Sequence, residues 1–380
     1  MNEPLTIRPV ETKADRKAFV DFAWEVYKKD PYWIPPLKDE VHGLLDPKKN
    51  PWFGHGRAQL WLAKRGGKLV GRISAQVDDL VQEHMAPGTG QWGMFEALEQ
   101  EAAVRLIETA EGWLREQGMT RALGPISISI WDEPGLLIKG FKQSPMVMMG
   151  HHRPEYEDWI EGAGYRKAKD LYTYELDIRI DMIPVIDRLI KSGEKNPRIR
   201  IRNVDKSRFK DEAAIILNLL NDAWSDNGGF VPLTEAEIAY AAKKLKPIIY
   251  EDLVRIAEYD GEPVAFMMTI PDINELIRDL NGELFPFGWA KLLWRLRSPK
   301  TKRVRVPLMG VAKKVQGSRL AGQLAFMLIE HIRLACVGKY GVTHGEFGWI
   351  LEDNQGMMSI AQLPGADINH TYRIYERELA

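Results

Sequence analysis

The stretch Val311-Ala312-Lys313-Lys314-Val315-Gln316-Gly317-Ser318-Arg319-Leu320-Ala321-Gly322 joins a strand-like segment directly to an amphipathic, helix-like one. Hydrophobic spacing predicts a strand over 303–311 and a helix over about 318–337, with small residues at the helix start. A helix leaves its first N–H groups unpaired and carries partial positive charge there, so a turn with little side-chain bulk lets a phosphate approach closely. Lys313, Lys314 and Arg319 add full charges beside it. An ordinary strand-to-helix turn has the same look, so the flanking sequence has to decide between the two.

Working outward, the order of elements in the C-terminal half is strand 198–204, helix 210–224, a hairpin of 253–259 and 262–270 around Asp260-Gly261, an insertion, strand 303–311, the long helix, strand 342–351, a short helix from about 355, and a last strand near 371–377. The N-terminal half runs through the same order. Strand 5–10 and helix 15–28 precede a hairpin of 59–64 and 68–77 about Gly66-Gly67, whose residues tolerate the positive φ of a tight turn. A long helix over 99–117, strands at 121–130 and 172–178 and a short helix at 154–162 complete it. The reading is therefore a tandem α/β (α+β, mixed-sheet) protein: lobe 1–180, linker helix 181–197, and lobe 198–380 carrying an amphipathic insertion at 273–302.

Bulk properties exclude more than they identify. A chain of 380 residues exceeds one ordinary α/β domain, and a formal net charge of −1 points to no partner. A single cysteine, Cys336, excludes an internal disulfide and a Cys-rich zinc site and suits a reducing cytosol. His151-His152 lacks a matching ligand cluster, so no metal is expected. No basic leader precedes an apolar run and no stretch of 18 apolar residues occurs, so any membrane contact is expected to be peripheral, from the cytoplasmic side.

The loop and the segments C-terminal to it resemble the GNAT acyltransferase family, whose signature here is Gln or Arg, two residues, Gly, one residue, then Gly or Ala. Gln316, Leu320 and Ala321 fit the spacing, with Arg319 in place of the usual Gly; Val311, Lys313, Gly317 and Ser318 complete the candidate acyl-CoA site. Trp349-Ile350-Leu351-Glu352-Asp353-Asn354 is similar to the family's strand and Asn, and the resemblance implies that Asn354 bonds the pantetheine or caps the short helix. The family's Tyr proton donor has no clear counterpart between Gln355 and Leu363; Tyr372 and Tyr375 are candidate substitutes that no sequence feature singles out. In the first half, Gly93-Met94-Phe95-Glu96-Ala97-Leu98-Glu99-Gln100-Glu101 passes into helix without such a loop and is acidic, so that lobe is expected to enclose substrate without binding CoA.

Amide formation from a thioester needs a neutral amine and hence a proton acceptor. Alternation along 342–353 puts His344, Glu346, Gly348, Ile350 and Glu352 on one face, and the resemblance implies that this strand splays to form the acyl cleft. Glu346 is the first base candidate and Glu352 the second; both also read as solvated or ion-paired carboxylates. Two polar, Gly-rich runs look shaped for binding: 124–141, with Asp132 and Glu133 able to neutralise an amine or cap a turn, and 224–230, with Trp224, Asp226 and Asn227.

From Leu284 to Ile329 there is no Asp or Glu but ten Lys and Arg residues, and Trp289, Leu292, Leu293 and Leu296 share a helical face. This is the pattern of an interfacial helix, with 284–303 as a membrane contact; a core-docked helix with a basic outer face shares it, and no nucleic-acid motif is present. Across nearly the whole chain the runs 124–156, 221–232, 271–274, 284–289 and 349–354 resemble double-GNAT bacterial proteins that include or adjoin the bacterial ceramide synthases, which move a fatty acyl group from CoA to a sphingoid base. That resemblance implies N-acyl transfer to a lipid amine, with Trp289 in the acceptor region. The alternatives are acetyl transfer from acetyl-CoA to a small soluble amine, and an acyl-CoA-binding regulator without turnover.

Overall fold

The computed structural model describes residues 3–224 and 230–379. The first half contains β1 (Leu5–Pro9), α1 (Lys13–Val26), α2 (Lys38–Leu44), β2 (Gly56–Arg65), β3 (Lys68–Asp78), α3 (Asp79–His84), β4 (Thr89–Ala97), α4 (Gln100–Glu116), β5 (Arg121–Gly124), β6 (Ile126–Ser127), β7 (Glu133–Pro134), β8 (Leu136–Lys139), α5 (Glu155–Gly162) and β9 (Arg166–Asp177). Helix α6 (Pro184–Glu194) leads into the second: β10 (Ile199–Asn203), α7 (Phe209–Trp224), α8 (Glu235–Leu245), β11 (Val254–Tyr259), β12 (Glu262–Pro271), α9 (Ile273–Ile277), α10 (Gly288–Arg297), β13 (Arg303–Val311), α11 (Arg319–Ala335), β14 (His344–Leu351), α12 (Gln355–Gln362) and β15 (Asp367–Glu378).

One thirteen-stranded mixed sheet runs through both halves in the order β1-β2-β3-β4-β5-β15-β9-β14-β13-β12-β11-β10, with β8 beside β15. The two repeats exchange their last strands: β9 pairs with β14 of the second half, and β15, at the end of the chain, pairs with β5 of the first. The sequence boundary at 181–197 is thus crossed in space by two strands whose neighbours no local pattern specifies. Each half still has its own core. Trp92, Phe95, Leu106, Ile107 and Leu114 pack α4 on the first half-sheet, and Phe266, Leu324, Phe326, Leu328 and Ile332 pack α11 on the second.

The segment Arg319–Tyr340 is long and apolar enough to cross a membrane by composition, with mean hydropathy 1.4, but half of its apolar window is buried in that core. A capping box absent from the sequence-based expectations, Thr234-x-x-Glu237, starts α8: the Thr234 hydroxyl accepts from the Glu237 N–H, and the Glu237 carboxylate accepts from the Thr234 N–H. None of the residues of α8 is buried, although Ile238, Ala241 and Leu245 form an apolar stripe at helical spacing.

Candidate active site

Strands β13 and β14 run parallel and pair from Arg303–His344 to Val306–Phe347, where pairing stops. Beyond that point β13 stays with β12, Met309 opposite Met267 and Val311 opposite Ala265, while β14 stays with β9. The wedge between them is the mouth of an apolar chamber of about 300 Å³ whose wall includes Val306, Met309, Phe347, Trp349, Asn354 and Met357. Asn354 caps α12 here: its side-chain oxygen accepts from the Met357 N–H at 3.1 Å, the second of the two roles expected for it.

The loop 312–318 closes the same end of β13. Gly317 has φ of +70°, which a glycine adopts without strain, and a Cβ there would meet nothing within 4 Å, so the turn faces open space. The Ser318 hydroxyl caps α11, accepting from the Ala321 N–H at 3.2 Å, which leaves the first-turn amides of Arg319 and Leu320 as the unpaired donors of a helix start. Gln316 ties the loop down, its amide donating to the Val311 carbonyl at 2.8 Å and the Ala223 carbonyl at 3.3 Å. The Lys313 backbone N–H donates to Asp222 at 2.7 Å, Lys314 pairs with Glu262 at 2.6 Å, and the exposed Arg319 has no carboxylate within 4 Å among the described residues. The loop thus offers backbone donors and a free guanidinium together, a fit for a diphosphate.

Among the described residues the first half has no such opening between its parallel strands. β4 and β5 also run parallel, from Thr89–Arg121 to Gln91–Leu123, but the space beyond is filled by β6. Gln76 donates to the Ile126 carbonyl at 2.5 Å, the Met94 N–H donates to Ser127 at 3.1 Å, and a Cβ on Gly93 would lie 2.1 Å from the Ile126 oxygen. The start of α4 carries Glu99 and Glu101, both paired with Arg65.

A second chamber, of about 370 Å³, adjoins the first. Its wall is one face of α7 (Phe209, Ala213, Ile216, Leu217, Leu220, Trp224), the stripe of α8 and the sheet at Met268 and Leu308. This explains why α8 buries none of its residues: its apolar stripe covers a cavity instead of core. Ile130, Trp131, Trp224, Pro307 and Trp349 line both chambers. Trp131 and Trp224 stack with ring centroids 6.1 Å apart and planes 11° apart, Trp131 donating to the Val231 carbonyl at 3.0 Å and Trp224 to the Met309 carbonyl at 3.1 Å. The 124–141 run of the first half, through Trp131, and the C-terminal end of α7 in the second, through Trp224, therefore meet.

Several candidate residues sit elsewhere than expected. The register of β14 on β9 shifts between Phe347 and Ile350, and this one-residue bulge reverses alternation, so Glu346 and Glu352 do not share a face. Glu352 lies outside both chambers, paired with Lys167 at 2.5 Å and accepting from the Asp170 N–H. Glu346 is also behind the wall. It accepts from Asn369 at 2.8 Å and lies 3.9 Å from Arg305, and burial raises its pKa. Tyr372 is a core residue whose hydroxyl donates to the Gly150 carbonyl at 3.1 Å, and burial holds its pKa well above the usual range. Glu133 turns away from the chambers to within 3.8 Å of His152, whereas Asp132 lines the second chamber. Trp289 lies on the outer surface, donating to the Pro286 carbonyl, and Asp226 and Asn227 fall outside the described residues. Sequence reasoning missed Arg305 and the α7–α8 wall; the Thr234 box was the available signal.

Arg305 is 2% exposed and donates to the carbonyls of Gly348 and Val147, fixing the bulge while facing Glu346. Arg305→Ala strands a buried carboxylate and two carbonyls, and is expected to lower unfolding free energy by about 3–5 kcal/mol at neutral pH. Because the raised pKa of Glu346 rises further without its cation, the deficit should shrink as pH falls and Glu346 takes a proton, which denaturant titrations at two pH values will measure.

No family model matches the chain. It is 43% identical over 380 residues, covering all of this chain and 98% of the other, to the bacterial ceramide synthase of Caulobacter vibrioides. It is 41% identical over 376 residues to protein YghO of Escherichia coli, covering 98% and 95% of the two chains. Among solved structures, a tandem GNAT protein from the clavulanic acid biosynthesis pathway matches with a TM-score of 0.58 at 13% identity over 99% of both chains. A GCN5-related N-acetyltransferase from Sphaerobacter thermophilus matches with 0.54 at 12% identity over 99% and 96%. The fold and these relatives define the class, a tandem GNAT acyl-CoA-dependent N-acyltransferase. Within that class, the chain belongs to the double-GNAT family that includes the bacterial ceramide synthase and YghO.

Proposed function

We propose that the protein transfers a long acyl group from CoA to the primary amine of a long-chain base, a sphingoid base being the favoured acceptor. The observation that carries this reading is the pair of apolar chambers meeting at Trp131 and Trp224, one opening at the splay beside the diphosphate loop. A small soluble amine with an acetyl donor needs no second chamber. The wall along α7 follows a sixteen-residue helix, about 24 Å at 1.5 Å per residue, which matches an extended hydrocarbon of roughly twenty bonds at ~1.2 Å per bond. The relative in Caulobacter vibrioides, named as a ceramide synthase, agrees with this acceptor class. The diphosphate is assigned to the first turn of α11, the pantetheine to the splay near Asn354, and the first half, with its wedge closed by β6, to substrate enclosure. Mass spectrometry of products from purified protein with long-chain acyl-CoA and a sphingoid base tests the reading; consumption of acetyl-CoA alone would sink it.

The same reading assigns α10 to a membrane surface on the cytoplasmic side. Phe285 and Phe287 are each 78% exposed, Trp294 72%, Leu293 55% and Trp289 49%, while Leu292 and Leu296 pack inward. The inward cluster includes Ile248 and Ile273, which also wall the second chamber, so the exposed patch backs directly onto it. Charge contributes less than the sequence implied: Lys291 and Arg295 are both paired with Asp279, and Arg303 with Asp272. Replacing Leu293 and Trp294 by Ser is expected to abolish flotation with liposomes and to leave the unfolding midpoint unchanged, since neither side chain is packed. Undiminished flotation would remove this surface from the account.

A further inference from the structure

We infer that Asp132, supplied by the N-terminal half, is the carboxylate that receives the acceptor's ammonium group and takes its proton. The inference rests on the amine-acylating reading above. Asp132 follows Trp131, the side chain that lines both chambers, and itself lines the second. Its Oδ2 accepts from the Ser129 hydroxyl at 2.9 Å, which fixes the carboxylate, and among the described residues no cation lies within 4 Å of it. Of the other carboxylates on that wall, Glu40 is exposed to solvent, Asp205 is engaged by Ser207 and Arg208, and the remaining two are committed to partners. Glu212 is held by Arg202 at 2.9 Å and by Arg208 at 3.1 Å, and Glu237 is engaged in its capping box and 3.2 Å from His55.

A carboxylate opening on an apolar chamber instead of bulk water is poorly solvated when charged, and this burial pushes Asp132 up to about 6. Lys244 and Glu237 face it from α8 with opposing effects, Glu133 adjoins it in sequence, and Arg305 stands further round the wall. In the step, the ammonium gives one proton to Asp132 and the neutral nitrogen attacks the thioester carbonyl carbon. The C–N bond forms, the C–S bond breaks, the second nitrogen proton goes with the departing sulfur as thiol, and Asp132 releases its proton to solvent. Since the diphosphate loop belongs to the second half and Asp132 to the first, the reaction centre is complete only across the exchanged strands.

Two measurements on the full chain test this. In wild type, kcat/KM for a long-chain amine should rise with pH through about 6 and level above it, because the deprotonated carboxylate is the active form. Asp132→Asn should lose that limb and fall by roughly a hundredfold to ten-thousandfold, with Asp132→Glu keeping the limb. Competition against a fluorescent long-chain amine should show wild type preferring hexadecylamine to hexadecanol, and Asp132→Asn losing the preference. A variant with wild-type rate, limb and amine preference overturns the inference. Should wild type acylate no amine, the acyl-transfer reading fails, and an amine preference lost in Asp132→Asn would still support the ammonium site.

Discussion

Ala321→Glu is expected to weaken acyl-CoA binding by on the order of a thousandfold. Ala321 is the third residue of α11, and its N–H is the one that the Ser318 hydroxyl caps. A carboxylate about 4 Å from a diphosphate charge costs about 4 kcal/mol at an effective dielectric near 20, and each ~1.4 kcal/mol is a factor of ten. The substitution also completes a Ser-x-x-Glu capping box, so the helix start should hold or gain stability while affinity collapses. Calorimetry with CoA beside thermal unfolding of the same variant separates the two effects. Unchanged affinity would place the diphosphate elsewhere.

The second large effect is expected from Ala213→Trp. Ala213 lies on the chamber-facing side of α7, between Phe209 at one end and Trp224 at the gate, so an indole there blocks the far part of the second chamber. Each buried methylene stabilises by about 0.8 kcal/mol, so excluding half a dozen costs roughly 5 kcal/mol. Transfer involving a long-chain amine should fall by about three orders of magnitude in kcat/KM, and transfer to a short-chain amine should change little. Because the new ring enters open space, the overpacking cost of about 1–3 kcal/mol usual in a filled core should not appear in denaturation. Equal loss for short and long amines would show that the chamber does not hold the chain.

Much of the loop that anchors this account was legible from local pattern. The Ser318 cap, the positive φ of Gly317 and the strand preceding them follow from residue types at fixed offsets, and Asn354 at the start of α12 is another such case. The Gly66-Gly67 hairpin turn is a third, with φ of +55° and +77°. The exchange of β9 and β15 was not legible, since period-two alternation fixes which face a strand buries and says nothing about which strand lies beside it. Strand alternation misplaced Glu352 for a related reason: the bulge beyond Phe347 inserts one residue, and every side chain after it changes face. The acid-free run 284–329 looked like a basic patch only along the chain, because Asp272, Asp279, Glu262 and Glu346 come to it from other segments. Trp131 and Trp224, ninety-three positions apart in sequence, could be marked as candidates one by one but not as a stacked pair.

A crystal structure of the protein with a non-transferable long-chain acyl-CoA analogue decides where the donor lies. The diphosphate is expected on the first-turn amides of α11 beside Arg319, the pantetheine between β13 and β14, and hydrocarbon in a chamber bounded by Trp131 and Trp224. Diphosphate density at α4 of the first repeat, or a chain lying outside both chambers, would contradict this placement.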